Sequence, residues 1–228
     1  MKVTKMPAAG PVRKRILVVD DHPITRDGLT QLINHEPDLI VCGEFDNASQ
    51  AFTAIESLKP DLVLTDITMP GKSGLELIKD IQALKQGTPV LVMSMHDETI
   101  FAERVLRGGG RGYIMKSEGG GKLLQAIRHV LQGGIYVSEK ITGKFLGSLA
   151  TGSNEGNQAE IECLSDREFE VFRSVGQGLT TSEISERLHI SPKTVDTHRA
   201  HIKDKLRLRT MPELSKYAIR WAAALNLI

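Results

Sequence analysis

Cysteine is scarce in this chain. Cys42 and Cys163 are the two in 228 residues, and they lie far apart, so neither a disulfide framework nor a cysteine metal cluster is indicated. Residues 1–15 have scattered basic residues but no apolar h-region, and no stretch approaches 18 apolar residues, which argues against a signal peptide and a membrane span. A reducing, cytoplasmic setting without a membrane partner is the expectation. Net charge is nearly missing too, at +1, but it is unevenly spread. Residues 1–159 hold 18 basic and 18 acidic side chains, whereas 193–209 carry six basic residues against Asp196 and Asp204. Such a local surplus points to a polyanion partner. The length suits two domains, each able to bury its own core.

What the chain does have is an alternation of short apolar runs and amphipathic segments. Strands are expected at 16–20, 39–45, 62–66, 90–94 and 112–115, with helices near 24–34, 48–58, 74–85, 100–106 and 122–131. Five such units predict a parallel sheet covered on both faces. The runs end on chemically useful residues: Asp20 and Asp21, Asp66, Ser94, and Lys116. Open α/β sheets place ligands at the carboxyl ends of their strands. Three carboxylates, a hydroxyl and an ammonium suit a hard cation beside a phosphoryl group. Taken singly, an Asp pair after a strand caps a helix, a lone Lys is solvated and a Ser satisfies nearby backbone. Their joint placement at successive strand ends favours a site. Two glycine runs, 108–110 and 119–121, lack the Lys-Ser/Thr ending of a phosphate cradle and are expected to end the fourth helix and precede the fifth.

Residues 147–160 are small and polar without apolar period, which reads as a linker. Helix starts then crowd together: Ser165 with Glu168, Thr180 with Glu183, Thr210 with Glu213, and Ser191 before Pro192. They predict a four-helix domain. Its second and third helices are separated by 189–191 alone, a helix-turn-helix spacing in which the later helix enters the major groove. Val195, Ile202 and Leu206 would face the core, leaving Lys193, Asp196, Thr197, Arg199, Ala200 and Lys203 outward. A solvated charged face on an ordinary bundle is the plain alternative, and the turn, caps and spacing together weigh against it. The last helix, from Pro212, has two apolar faces. Leu214, Ala218, Trp221 and Leu225 form one; Tyr217, Ala224 and Ile228 form the other, available to a second copy.

Several segments resemble a known family. Val18-Val19-Asp20-Asp21-His22, Asp66-Ile67-Thr68-Met69-Pro70-Gly71, Ser94-Met95-His96 and Gly112-Tyr113-Ile114-Met115-Lys116 resemble the receiver domain of bacterial two-component response regulators. Leu164-Ser165-Asp166-Arg167-Glu168, Gly178-Leu179-Thr180 and Ile190-Ser191-Pro192-Lys193-Thr194-Val195-Asp196-Thr197-His198 resemble the helix-turn-helix domain of the LuxR/FixJ/NarL type. The resemblance implies a tail at 1–14, a flavodoxin-like, doubly wound α/β receiver at 15–134, a linker at 135–161 and an all-α DNA-binding domain at 162–228. It implies that Asp66 accepts a phosphoryl group from a sensor histidine kinase, and that Asp20, Asp21, Asp66 and the Thr68 backbone carbonyl hold Mg²⁺. Ser94 and Lys116 would bind phosphoryl oxygens, and Tyr113 would move inward as a switch aromatic. On DNA, Lys193, Thr194, His198, Lys203 and Lys205 would contact phosphates, while Asp196, Thr197, Arg199 and Ala200 would meet base edges. Promoter DNA, a homodimer on it, and RNA polymerase are the implied partners.

The rival reading is an enzyme, a Mg²⁺-dependent phosphatase of the haloacid dehalogenase type with Asp66 as nucleophile. Such enzymes carry a second carboxylate two residues later as general acid, and position 68 is Thr. No enzymatic activity beyond Mg²⁺-assisted autophosphorylation and autodephosphorylation is expected.

Overall fold

The computed structural model describes residues 13–96, 98–143, 147 and 161–225. Five strands, β1 (Lys14–Val19), β2 (Leu39–Phe45), β3 (Leu62–Thr65), β4 (Val90–Ser94) and β5 (Gly112–Met115), form a parallel sheet in the order β2-β1-β3-β4-β5. Between and after them lie α1 (Pro23–Asn34), α2 (Ala48–Leu58), α3 (Gly74–Ala83), α4 (Glu98–Arg107) and α5 (Gly119–Leu131). Every residue of β3 and β4 is buried, as interior strands of a parallel sheet require. Alternation along each strand sorts the core into two layers. Leu17, Val19, Val63 and Val92 pack with α2, α3 and α4, while Ile16, Val18, Leu64 and Met93 pack with α1 and α5.

Three boundaries differ from the sequence reading in ways that matter. Asp20 and Asp66 lie just past their strands rather than within them, although their N–H groups still donate to the Phe45 and Val19 carbonyls at 3.0 and 2.9 Å. The 119–121 glycines form the first turn of α5 instead of preceding it. Burial of Leu123, Leu124, Ile127 and Val130 anchors that helix strongly enough to override poor glycine propensity. The linker stretch at 147–160 lies outside the described residues apart from Gly147, as does Ile228. The beginning of the wider 135–161 span is tied to the sheet. Tyr136 donates its N–H to the Arg111 carbonyl at 3.0 Å and accepts from the Tyr113 N–H at 2.8 Å.

The second domain comprises α6 (Asp166–Gly176), α7 (Thr181–Arg187), α8 (Pro192–Lys205) and α9 (Met211–Ala224). Ser165, Thr180 and Thr210 each close a reciprocal capping box, and Ser191 accepts from the Thr194 N–H ahead of α8. All of α6 is buried, charged residues included. The receiver covers its outer side: the Phe101 ring meets Phe169 edge-on at 5.5 Å, and the Arg104 guanidinium lies 3.9 Å over the same ring. Lys79 Nζ is 2.6 Å from Asp166.

Candidate functional site

Strand register builds the site. Val19 pairs with Thr65, so Asp20 and Asp66 leave the sheet side by side where the strand order reverses, the place open α/β sheets bind ligands. Asp66 is 6% exposed. Its Oδ2 accepts from Lys116 Nζ at 2.7 Å and its Oδ1 from the Ile67 N–H at 2.6 Å. Lys116 Nζ also lies 2.7 Å from Asp20 Oδ2. Burial pushes the Asp66 carboxyl above its ordinary pKa, with Lys116 pulling the other way. Burial works against the Lys116 ammonium, yet Asp66 and Asp20 outweigh it and raise its pKa. Behind Asp66 only a glycine fits at position 74. The Gly74 N–H donates to the Ile67 carbonyl at 2.7 Å, and a Cβ there would stand 2.0 Å from the Asp66 carbonyl oxygen.

The donor set suits a small hard cation. Asp20, Asp21, His22 and Asp66 bring one ligand atom each within 4.8 Å of one another. Asp20 Oδ2 and Asp21 Oδ1 are buried and meet no well-directed hydrogen bond among the described residues, although Lys116 and His22 Nδ1 approach them closely. Those oxygens fit Mg²⁺.

The other expected groups gather around His96. Ser94 is buried, and its hydroxyl accepts from the His96 N–H at 3.3 Å. Tyr113 is buried with its ring inside, donating its hydroxyl to the His96 carbonyl at 2.6 Å. The Thr68 hydroxyl sits 2.9 Å from His96 Nε2. Thr68, Ser94, Asp66 and Lys116 line one cleft, and Arg187 and His189 of the second domain stand on its rim.

On α8, Val195 and Ile202 are buried and Leu206 packs partly on the core, leaving the opposite face open. Lys193, Asp196, Thr197 and Lys205 are exposed, while Thr194, His198, Arg199, Ala200 and Lys203 are half-buried. Arg199 donates to the Thr181 hydroxyl at 2.8 Å, and that hydroxyl donates to Asp196 at 3.3 Å. Lys205 is engaged by Glu168 at 2.6 Å and Lys203 by Asp204 at 2.7 Å. Burial lowers the His198 pKa, and its Nδ1 meets no hydrogen-bond partner among the described residues.

Residues 16–128 match the response regulator receiver domain, and residues 162–218 match bacterial regulatory proteins of the luxR family. The oxygen regulatory protein NreC of Staphylococcus aureus is 35% identical over 210 residues, which span 90% of this chain and 97% of that relative. The chain belongs to the LuxR-family two-component response regulators. A LuxR-family response regulator from Aurantimonas sp. SI85-9A1 is 33% identical with a TM-score of 0.56, over 60% of this chain and 99% of that one. RcsB of Salmonella enterica serovar Typhimurium, solved on a promoter with phosphomimetic BeF3-, is 24% identical with a TM-score of 0.59, over 90% and 98%. The RcsB likeness is one of fold. Among the described residues of this response regulator, no helix is long and apolar enough to cross a membrane.

The sequence assigns His96 no chemical role, although it lies in the Ser94-Met95-His96 segment at the end of β4. Its polar residue at strand-end spacing was the available signal. Arg26, which donates to the Asp20 carbonyl at 2.6 Å, and His189 of the regulator's second domain had no comparable signal, because tertiary packing alone brings them there.

Proposed function

We propose that a sensor histidine kinase phosphorylates Asp66 and that this modification controls promoter binding through α8. The observation that carries the reading is the buried Asp66 carboxylate held between the Lys116 ammonium and the Ile67 N–H, beside Asp20 and Asp21. The carboxylate attacks the phosphorus of a phosphohistidine, giving an aspartyl phosphate and releasing the donor imidazole. Asp20, Asp21, Asp66 and the Thr68 carbonyl would hold Mg²⁺, which would supply charge neutralisation for the phosphoryl oxygens. Lys116 exchanges its carboxylate partners for a phosphoryl oxygen, and Ser94 turns its hydroxyl from His96 to donate to another. That change reaches Tyr113, because its hydroxyl rests on the same His96 residue. At the other end, Lys193, Thr194, His198, Lys203 and Lys205 fix the duplex register, while Asp196, Thr197, Arg199 and Ala200 read bases in a dimer on promoter DNA. In this reading 15–134 is the receiver, 162–228 the DNA-binding unit, and the protein works in the cytoplasm where both partners meet. The Thr68 hydroxyl, bonded to His96, offers no general acid for a phosphatase.

Acetyl phosphate with Mg²⁺ should label one site, giving an acid-stable acyl phosphate labile to base and hydroxylamine. Asp66→Asn should abolish the label. Labelling that persists in this variant, or without divalent cation, overturns the assignment.

A further inference from the structure

Two side chains of the DNA-binding domain stand at the mouth of the Asp66 cleft. α7 ends at Arg187, and the turn into α8 begins with Leu188. His189 adopts φ of 52°, a left-handed conformation that turns the chain out of the helix. Its N–H donates to the Glu186 carbonyl at 3.3 Å and the Ile190 N–H to the Ser185 carbonyl at 3.0 Å. This closed turn carries the His189 imidazole to the receiver, where Nε2 lies 3.6 Å from Asp21 Oδ2. Asp21 is otherwise enclosed: its side chain is 11% exposed, and His22 Nδ1 lies 2.8 Å from the other carboxylate oxygen. Arg187 shares the cleft rim, its guanidinium held by Gln177 at 2.8 Å.

We propose that the helix-turn-helix turn caps the phosphoacceptor cleft, so that the docked DNA-binding domain and the cation compete for Asp21. The inference rests on the reading of Asp20, Asp21 and Asp66 as the Mg²⁺ site. Mg²⁺ needs a nearly octahedral oxygen shell and keeps several of its waters, so it needs room around each carboxylate it uses. An imidazole against Asp21 Oδ2 takes that room. The contact is half exposed and contributes little to docking by itself; its consequence is occupancy. The pose is held elsewhere. His96, beside Thr68 in the cleft, stacks on Phe101 with ring centroids 5.1 Å apart, and Phe101 meets Phe169 of α6. Linkage makes the effect reciprocal: the factor by which docking weakens Mg²⁺ is the factor by which Mg²⁺ weakens docking.

The test uses the full chain and Mg²⁺ alone, titrated by calorimetry. His189→Gly removes the imidazole and suits the left-handed φ, so the turn keeps its path. His189→Asn, which also tolerates that conformation, is the second variant. Both should bind Mg²⁺ severalfold more tightly than the parent. Trp221, the one tryptophan of the chain, lines the cavity between the domains and reports docking by its emission. Saturating Mg²⁺ should shift that emission in the parent and shift it less in His189→Gly. Equal or weaker Mg²⁺ affinity in both variants overturns the cap while leaving the metal site standing. Absence of Mg²⁺ binding in the parent and in both variants overturns the metal-site reading together with the cap.

Discussion

Glu170 and His96 are buried ionisable residues whose protonation preferences oppose each other. Burial pushes the Glu170 carboxyl up to about 7, although Arg167 beside it pulls the other way. Burial also drives the His96 imidazole down to about 3, with Arg173 and Arg187 adding to it. For Glu170 the folded chain binds more protons between its ordinary 4.5 and about 7, so stability falls as pH rises through that window. For His96 the unfolded chain binds more protons between about 3 and its ordinary 6.5, so stability falls as pH drops there. A single group fully inside its window contributes about 1.4 kcal/mol per pH unit. The two slopes therefore offset each other between pH 4.5 and 6.5. Glu170→Gln should leave the His96 slope uncompensated, and its denaturant midpoint should drop more steeply than the parent's between pH 6.5 and 5. An equal or shallower drop contradicts this account. Nothing in the sequence marks Glu170 as buried, since it reads as one more polar residue on an amphipathic helix.

The elements that were legible are those whose pattern and packing agree. β2, β4, β5 and α2 begin and end where apolar runs and caps place them: β4 is an interior strand that must be apolar, β2 and β5 are the sheet edges, and Asn47 caps α2 through its side chain. The start of α5 was not legible, because local glycine propensity points one way and tertiary burial the other. On α8 the outward face was read from the positions Val195 and Ile202 leave free, but its internal bonds were not. Arg199 is held in place by Thr181, which would fix its direction of approach in its proposed role at one base pair. Arg199→Ala should therefore relax preference at that pair and cost about 1–3 kcal/mol on the best site, with less lost on random DNA. Lys203→Ala should weaken binding to all sequences alike and flatten its salt dependence, since a phosphate contact releases counterions without reading sequence. Binding titrations of both variants at several salt concentrations separate the two roles, and an equal loss on specific and random DNA for Arg199→Ala would remove it from base reading.

At the scale of the whole molecule, the order of the two domains was legible from their motifs, while their docking was not. Its contacts join distant positions, such as Arg104 with Ile161, 57 residues apart, Lys79 with Asp166, 87 apart, and His189 with Asp21, further apart still, and the charged side chains read locally as ordinary surface residues. Docking leaves Lys193, Asp196 and Thr197 exposed, so the face of α8 proposed to read DNA is not what it hides. What the receiver covers is α6 and the end of α9, where Trp221 and Leu225 line the cavity beside Arg104. Arg104 is the main clasp, stacked on Phe169 and donating to the carbonyls of Leu164 at 3.1 Å and Ile161 at 2.9 Å. Arg104→Ala leaves those carbonyls without their donor and should cost docking about 1–3 kcal/mol. That shifts the docked-to-undocked ratio by about 5- to 150-fold toward the undocked form. Small-angle scattering should then show a larger radius of gyration without phosphorylation, and Trp221 emission should shift to the red. If release acts by exposing α9 to a second copy, the same variant should gain affinity on DNA carrying two inverted half-sites and gain none on a single half-site. An equal gain on both would mean that docking restrains α8 itself, and the role given to α9 would fall.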